Sequence, residues 1–192
     1  YTLCADKTVT GTQQAKLTAS DGAQSDLLGW SADLAGDLLI MGAYGDDDLG
    51  NNSGSAYVFA RSGTAWSQEV KLTAGDGAAS DYFGHSVAVS GDLALAGAPN
   101  DDDLGNNSGS AYVFARTGTA WSQEAKLTVG SAGSFLGWSA ALDSETALLG
   151  AYEDDSPCNN CGAAYVFSRS GTTWSQQAML SASDAGKGDW FG

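Results

Sequence analysis

Two stretches of this chain gather carboxylates and amides closely enough to hold a cation. One reads Asp46-Asp47-Asp48-Leu49-Gly50-Asn51-Asn52, and the other repeats it as Asp101-Asp102-Asp103-Leu104-Gly105-Asn106-Asn107. In an extended triplet the outer two carboxylates point the same way, and the glycine lets the backbone fold back to offer carbonyls and an Asn. Calcium takes about six to eight such oxygens at about 2.3–2.6 Å. Asp46, Asp48 and Asn51 in the first loop, with Asp101, Asp103 and Asn106 in the second, are therefore candidate calcium ligands. The expected affinity is weak, on the order of 10⁻⁴ M, as in extracellular modules. The alternative is a solvated acidic turn that keeps the sheet ends in water. A third version, Glu153-Asp154-Asp155-Ser156, has lost a carboxylate, so Asp154 belongs to the poorest of the three sites.

The third loop also carries Cys158-Asn159-Asn160-Cys161. A redox pair at this spacing needs a helix N-terminus to lower its thiol pKa, and here the flanks read as strands. Zinc would need four ligands, and Cys158, Cys161, Cys4 and His85 come from unrelated repeat positions. A local disulfide between Cys158 and Cys161 fits better, as a covalent clamp where the acidic cluster is depleted. Cys4 is left over. It stands where other copies have Phe59, Phe114 and Phe167, which favours burial as a small hydrophobe, with an intermolecular bridge as the alternative. Asn51-Asn52-Ser53 and Asn106-Asn107-Ser108 match the N-glycosylation pattern, making Asn51 and Asn106 possible acceptors.

No catalytic constellation stands out. His85, the single histidine, takes the place of Trp30 and Trp138, a structural position. There is no Ser-His-Asp arrangement, metal-hydrolase motif or phosphate-cradling glycine loop. Carboxylates recur copy by copy, whereas a catalytic pair occurs once. The expectation is a protein without enzymatic activity. Trp66, Trp121 and Trp174 also recur at one position, which suits packing between sheets, with sugar stacking as the alternative.

These residues sit in a cassette of about 55 residues that runs three times. Trp66, Trp121 and Trp174 each open Trp-Ser-Gln, with spacings of 55 and 53 residues. Ala-Tyr-Val-Phe recurs at Tyr57, Tyr112 and Tyr165, followed by Arg61, Arg116 and Arg169. In the second copy the pattern predicts strands over Phe83–Ser90, Leu93–Ala98, Ser110–Arg116 and Ala120–Thr128. Gly91-Asp92 and Thr117-Gly118 supply turns. Alternation supports this, with Tyr112, Phe114 and Arg116 facing one way and Ala111, Val113 and Ala115 the other. The fold class is all-β: β-propeller blades of four antiparallel strands, about 3.5 of them. A β-solenoid is the alternative, though its coils are usually shorter. Residues 1–24 read as a half blade (strands over Tyr1–Ala5 and Gly11–Thr18), 25–79, 80–133 and 134–188 as blades, and 189–192 as the start of another. Three and a half blades cannot close a ring, so either a longer propeller or a second copy is expected to complete it.

Composition narrows the partners. The 192 residues include 23 acids against 8 bases, a formal net charge of −15. That argues against nucleic acid, whose phosphates need clustered Lys and Arg. Cations or basic partners are favoured over anionic membrane surfaces. No apolar run approaches the roughly 18 residues of a membrane-inserted span. The chain opens at Tyr1 without a leader pattern, which fits a leader already removed. Three cysteines suit an oxidising compartment.

Phe83-Gly84, then Gly97-Ala98-Pro99, then an acidic loop, resemble the FG-GAP repeat of integrin-α-type propellers. With the Asp-Asp-Asp loop, Ala-Tyr-Val-Phe and the Trp-Ser-Gln run, the cassette is more similar still to the bacterial secreted subgroup. The resemblance implies an extracellular β-propeller for binding, adhesion or surface assembly, often with calcium in its loops. Departures occur at Leu28-Gly29, Leu136-Gly137, Gly42-Ala43-Tyr44 and Gly150-Ala151-Tyr152. Integrin-type calcium loops would lie between Phe-Gly and Gly-Ala-Pro, where this chain has only a tight turn, so any calcium must use the later loop. The expected function is a secreted or cell-surface module, calcium-assisted, binding a protein or glycan. The alternatives are a subunit that assembles edge to edge with its own copies into a filament or layer, and the non-catalytic propeller of a larger secreted enzyme.

Overall fold

The computed structural model describes residues 12–156 and 158–192. Cys4 and the strand expected over Tyr1–Ala5 lie outside them. Twelve strands form three four-stranded sheets, each antiparallel and in simple sequence order. The first blade comprises β1 (Ala32–Ala35), β2 (Leu38–Ala43), β3 (Ser55–Ser62) and β4 (Ala65–Leu72). The second comprises β5 (Ser86–Ser90), β6 (Leu93–Ala98), β7 (Ser110–Thr117) and β8 (Ala120–Leu127). The third comprises β9 (Ser139–Asp143), β10 (Thr146–Ala151), β11 (Ala163–Ser170) and β12 (Thr173–Leu180). The sheets stack in series without closing a ring. No helix among the described residues is long and apolar enough to cross a membrane.

Blade 2 is apolar on both faces because it is sandwiched between blades 1 and 3. Tyr112 and Phe114 of β7 pack toward blade 1, among Leu38, Ile40 and Val58. Ala111 and Val113 pack the other way, with Leu149 and Tyr165 of blade 3. The alternation read from the sequence therefore describes two blade–blade cores, and each fully buried side chain of this size contributes about 1.5–3 kcal/mol relative to exposure. Blade 3 has one face without such cover. Leu148 and Leu180 are 40% and 44% exposed, whereas their counterparts Ile40, Leu95, Leu72 and Leu127 are buried.

The glycines of the repeat explain why the blades sit so close. A Cβ on Gly97 would lie 2.0 Å from the carbonyl oxygen of Gly137 in the next blade, and one on Gly42 would lie 1.8 Å from that of Gly84. The chain then enters each blade through a parallel bridge, Gly54 with Phe83 and Gly109 with Leu136.

Several boundaries differ from the sequence reading. The innermost strand starts at Ser86, because Phe83 is held in the parallel bridge and Gly84 has a positive φ of 82°. The turn between β7 and β8 falls at Gly118-Thr119, and β8 ends at Leu127. Residues 12–18 carry no strand, although one was expected over Gly11–Thr18. One irregularity was not foreseen. Val113 pairs with Ala125 but Phe114 with Gln123, so Glu124 is an unpaired bulge residue, and Glu69 and Gln177 are its equivalents.

Candidate functional site

Each of the two acidic loops closes on its own lysine. Lys71, on β4, extends its Nζ to Asp21 Oδ2 at 2.8 Å, Asp46 Oδ2 at 2.9 Å and Asp48 Oδ2 at 2.5 Å. Lys126, on β8, does the same with Asp76 at 2.8 Å, Asp101 at 2.8 Å and Asp103 at 2.6 Å. The outer two carboxylates of each triplet do share a target, as the triplet's geometry predicts. The middle one turns back, Asp47 Oδ1 accepting the Asn52 N–H at 2.7 Å. Tyr57 and Tyr112 complete the clusters, each donating its hydroxyl to the buried carboxylate of Asp46 or Asp101.

The electrostatics follow from this packing. Burial pushes the Asp46 and Asp101 carboxyls up, but the ammonium, a backbone N–H and the tyrosine hydroxyl outweigh it and hold both below the ordinary range. Burial likewise opposes charge on Lys71 and Lys126, and three carboxylates apiece reverse that, so both titrate above the ordinary lysine value. Burial, then the adjacent carboxylates, push Tyr57 and Tyr112 up.

Calcium does not fit these residues. It would need the carboxylate oxygens that Nζ already occupies. A divalent ion about 4 Å from an ammonium is repelled by on the order of 8 kcal/mol at an effective dielectric constant of 20. Asn51 and Asn106, expected as further ligands, are exposed and accept from Asn52 and Asn107 instead. Their exposure leaves them accessible as glycosylation acceptors, although the Ser53 and Ser108 hydroxyls of the same patterns are buried against the carbonyls of Asp46 and Asp101.

The third cluster has lost the lysine and two carboxylates together, one of them from the loop. Met179 stands in the lysine position, Ser131 in that of Asp76 and Ser156 in that of Asp103. Asp154 remains, fully buried, accepting from Tyr165 Oη at 2.7 Å and the Ser156 N–H at 2.8 Å. Cys158 and Cys161 are joined as a disulfide, with Cα atoms 5.3 Å apart.

A second constellation locks neighbouring blades. Bulge residue Glu69 of blade 1 receives Arg116 of blade 2 in a two-pronged bond, Nε to Oε1 at 2.7 Å and Nη2 to Oε2 at 2.6 Å. The Trp121 indole N–H also donates to Oε1, at 2.7 Å. Glu124, Arg169 and Trp174 repeat the arrangement between blades 2 and 3. The recurring tryptophans thus serve packing at the joint. A cleft of about 490 Å³ beside this joint is lined by Asp92, Arg116, Glu145 and Arg169, and both arginines are already committed to glutamates.

A third feature escaped the sequence reading. Trp30, Tyr44, His85, Trp138 and Tyr152 form an unbroken row across the three blades. Ring centroids are 4.9 Å apart for Trp30–Tyr44, 5.8 Å for Tyr44–His85, 4.4 Å for His85–Trp138 and 4.4 Å for Trp138–Tyr152. Trp30 and Trp138 are 55% and 40% exposed. His85 continues the row, its Nδ1 3.2 Å from the Trp138 carbonyl, and burial lowers its pKa. The signal lay in the residues after Phe-Gly and Gly-Ala, which are aromatic in most copies. For the lysines it lay in the joint loss of Lys and Asp from the third copy.

A family model described as FG-GAP repeat matches residues 12–59, 66–114 and 121–167, three consecutive repeats covering well over half of the chain. No curated protein matches the sequence.

Proposed function

The chain belongs to the FG-GAP repeat family, and from that premise we propose that it is a non-enzymatic binding module working outside the cell, meeting a protein or glycan partner through its aromatic row. The family is typically extracellular, and the Cys158–Cys161 disulfide suits an oxidising compartment. The observation that carries the reading is the exposure of Trp30 and Trp138 within a continuous aromatic surface. Rings that merely packed a core would be covered. Aromatic residues anchor both protein and glycan contacts because one face is apolar and the edge can hydrogen-bond. Calcium has no part in this reading at the two lysine-filled loops. The test is a panel of glycans and extracellular-matrix proteins probed with the native chain and with Trp30→Ala/Trp138→Ala. Ligands of the row should be lost by the variant, whereas equal binding by both would place the contact elsewhere.

A second reading is self-assembly, favoured by the open face of blade 3. Leu148 and Leu180 offer the surface that Leu95 and Leu127 use to hold a following blade, and a blade of a second copy would match it. Light scattering after size exclusion distinguishes the readings. Concentration-dependent assembly that Leu148→Glu abolishes supports this one, and a monomer at every concentration rejects it.

A further inference from the structure

The strongest disagreement between sequence pattern and structure concerns what neutralises the acidic loops. We propose that the ammonium groups of Lys71 and Lys126 are the resident cations of these loops, so that blades 1 and 2 are closed without a divalent metal and are indifferent to it. The inference is independent of which partner the module binds.

Three observations carry it. An ammonium has three N–H donors, and each of these two meets three carboxylates, so no donor is left over. Each cluster also ties together segments that are distant in the chain. Asp76 comes from the connection between blades 1 and 2, Asp101 and Asp103 from the loop after β6, and Lys126 from β8. Such a tie is the structural role a metal plays in a loop-rich module, and here a side chain performs it. Finally, the third copy shows the parts being lost as a set. Where Met179 replaces the lysine, Ser131 and Ser156 replace two of its three carboxylates, and the disulfide stands in the same loop. A cluster built around a metal has no reason to lose a lysine when it loses its carboxylates. One built around the lysine does.

The test uses the whole chain, freed of metal with a chelator, then given about 5 mM calcium, above the roughly 10⁻³ M limit of weak extracellular sites. Thermal unfolding and terbium luminescence, sensitised through Tyr57 and Tyr112, are read together. The native protein should keep its Tm within about 1 °C and show no saturable terbium signal, because a stabilisation near 1 kcal/mol gives about 2–4 °C at this size. Lys126→Met, a residue the third blade already tolerates, should unfold at lower temperature, recover at least half of the loss with calcium, and bind terbium at least tenfold more tightly than the native chain. Lys126→Arg keeps a cation and should stay metal-indifferent. A native Tm that rises with calcium, or stoichiometric terbium binding by the native chain, overturns the proposal. So does a folded Lys126→Met that responds no more than the native protein. If Lys126→Met does not fold even with calcium, Lys71→Met and the native response decide.

Discussion

Replacing Glu69 by Gln removes one charge from the joint between blades 1 and 2 while keeping its shape. One oxygen survives to accept from Arg116 Nε and Trp121 Nε1, but an amide N–H₂ now faces Arg116 Nη2, donor against donor. One charge-assisted hydrogen bond is lost, worth about 1.5–3 kcal/mol. Arg116 keeps part of its charge in water, with 21% of its side chain exposed, and Asp92 lies 3.7 Å away, so the lower half of that range applies. The expected cost is about 2 kcal/mol, or a fall of roughly 1 M in the urea midpoint. A double-mutant cycle with Arg116→Met should return a coupling of about 1–2 kcal/mol, since the two side chains touch. The pH dependence gives an independent check. The Arg116 hydrogen bonds, against the opposing effect of burial, hold the Glu69 carboxyl below its ordinary value. A depressed carboxylate stabilises the fold above its unfolded pKa of about 4.3 and stops doing so as pH falls through the lower folded value. The gap between native protein and Glu69→Gln should therefore be full at neutral pH and close in acid. A gap under about 0.5 kcal/mol, or one that does not change with pH, would refute a stabilising charge pair at this joint.

Other perturbations test other parts of the structure. Leu95→Ala should cost about 2–5 kcal/mol in urea unfolding, because Leu95 is fully buried between blades, while Leu148→Ala at the equivalent exposed site should cost under about 1 kcal/mol. Gly97→Ala forces a Cβ onto the Gly137 carbonyl and should leave little folded protein, measured as soluble yield and circular dichroism. Cys158→Ser/Cys161→Ser should lose about 2 kcal/mol by the chain-entropy estimate, measured against the oxidised protein. Asp101→Asn should flatten the acid limb of the stability profile. The Asp101 carboxyl, pushed up by burial but lowered further by Lys126 and Tyr112, contributes above an unfolded pKa near 3.9 and is lost below it.

What the sequence disclosed divides along physical lines. Which way the side chains of β7 face was legible because Tyr112, Phe114, Ala111 and Val113 alternate, and alternation is a local property of one strand. β6 was bounded correctly because Gly91-Asp92 and Pro99 punctuate it. The start of β5 was missed because Phe83 is held by a bridge to another blade, a contact that no local pattern encodes. The shared target of Asp46 and Asp48 followed from strand geometry, but its identity did not. Lys71 lies 23 residues from Asp48, and only the fold brings them together. The bulge at Glu124 hides in the same way, since it is visible only when β7 and β8 are set side by side.

The glutamate bulges make the blades unequal in their permutations. Blades 1 and 2 each present Glu to the blade behind, while blade 3 carries Gln177 at that place. Gln14 occupies the matching position ahead of blade 1, 3.4 Å from Trp66 Nε1, and there Arg61 turns to Asp37 in the β1–β2 turn of its own blade. A neutral bulge is thus matched with an arginine that is satisfied at home. Were blade 3 transplanted ahead of blade 2, Gln177 would confront Arg116, which would lose its two-pronged bond and have to swing to Asp92 of its own blade, now 3.7 Å away, as Arg61 does to Asp37. A single carboxylate-to-amide exchange thus decides whether a joint carries a cross-blade ion pair, and an engineered shuffle of this array would trade one kind of joint for the other.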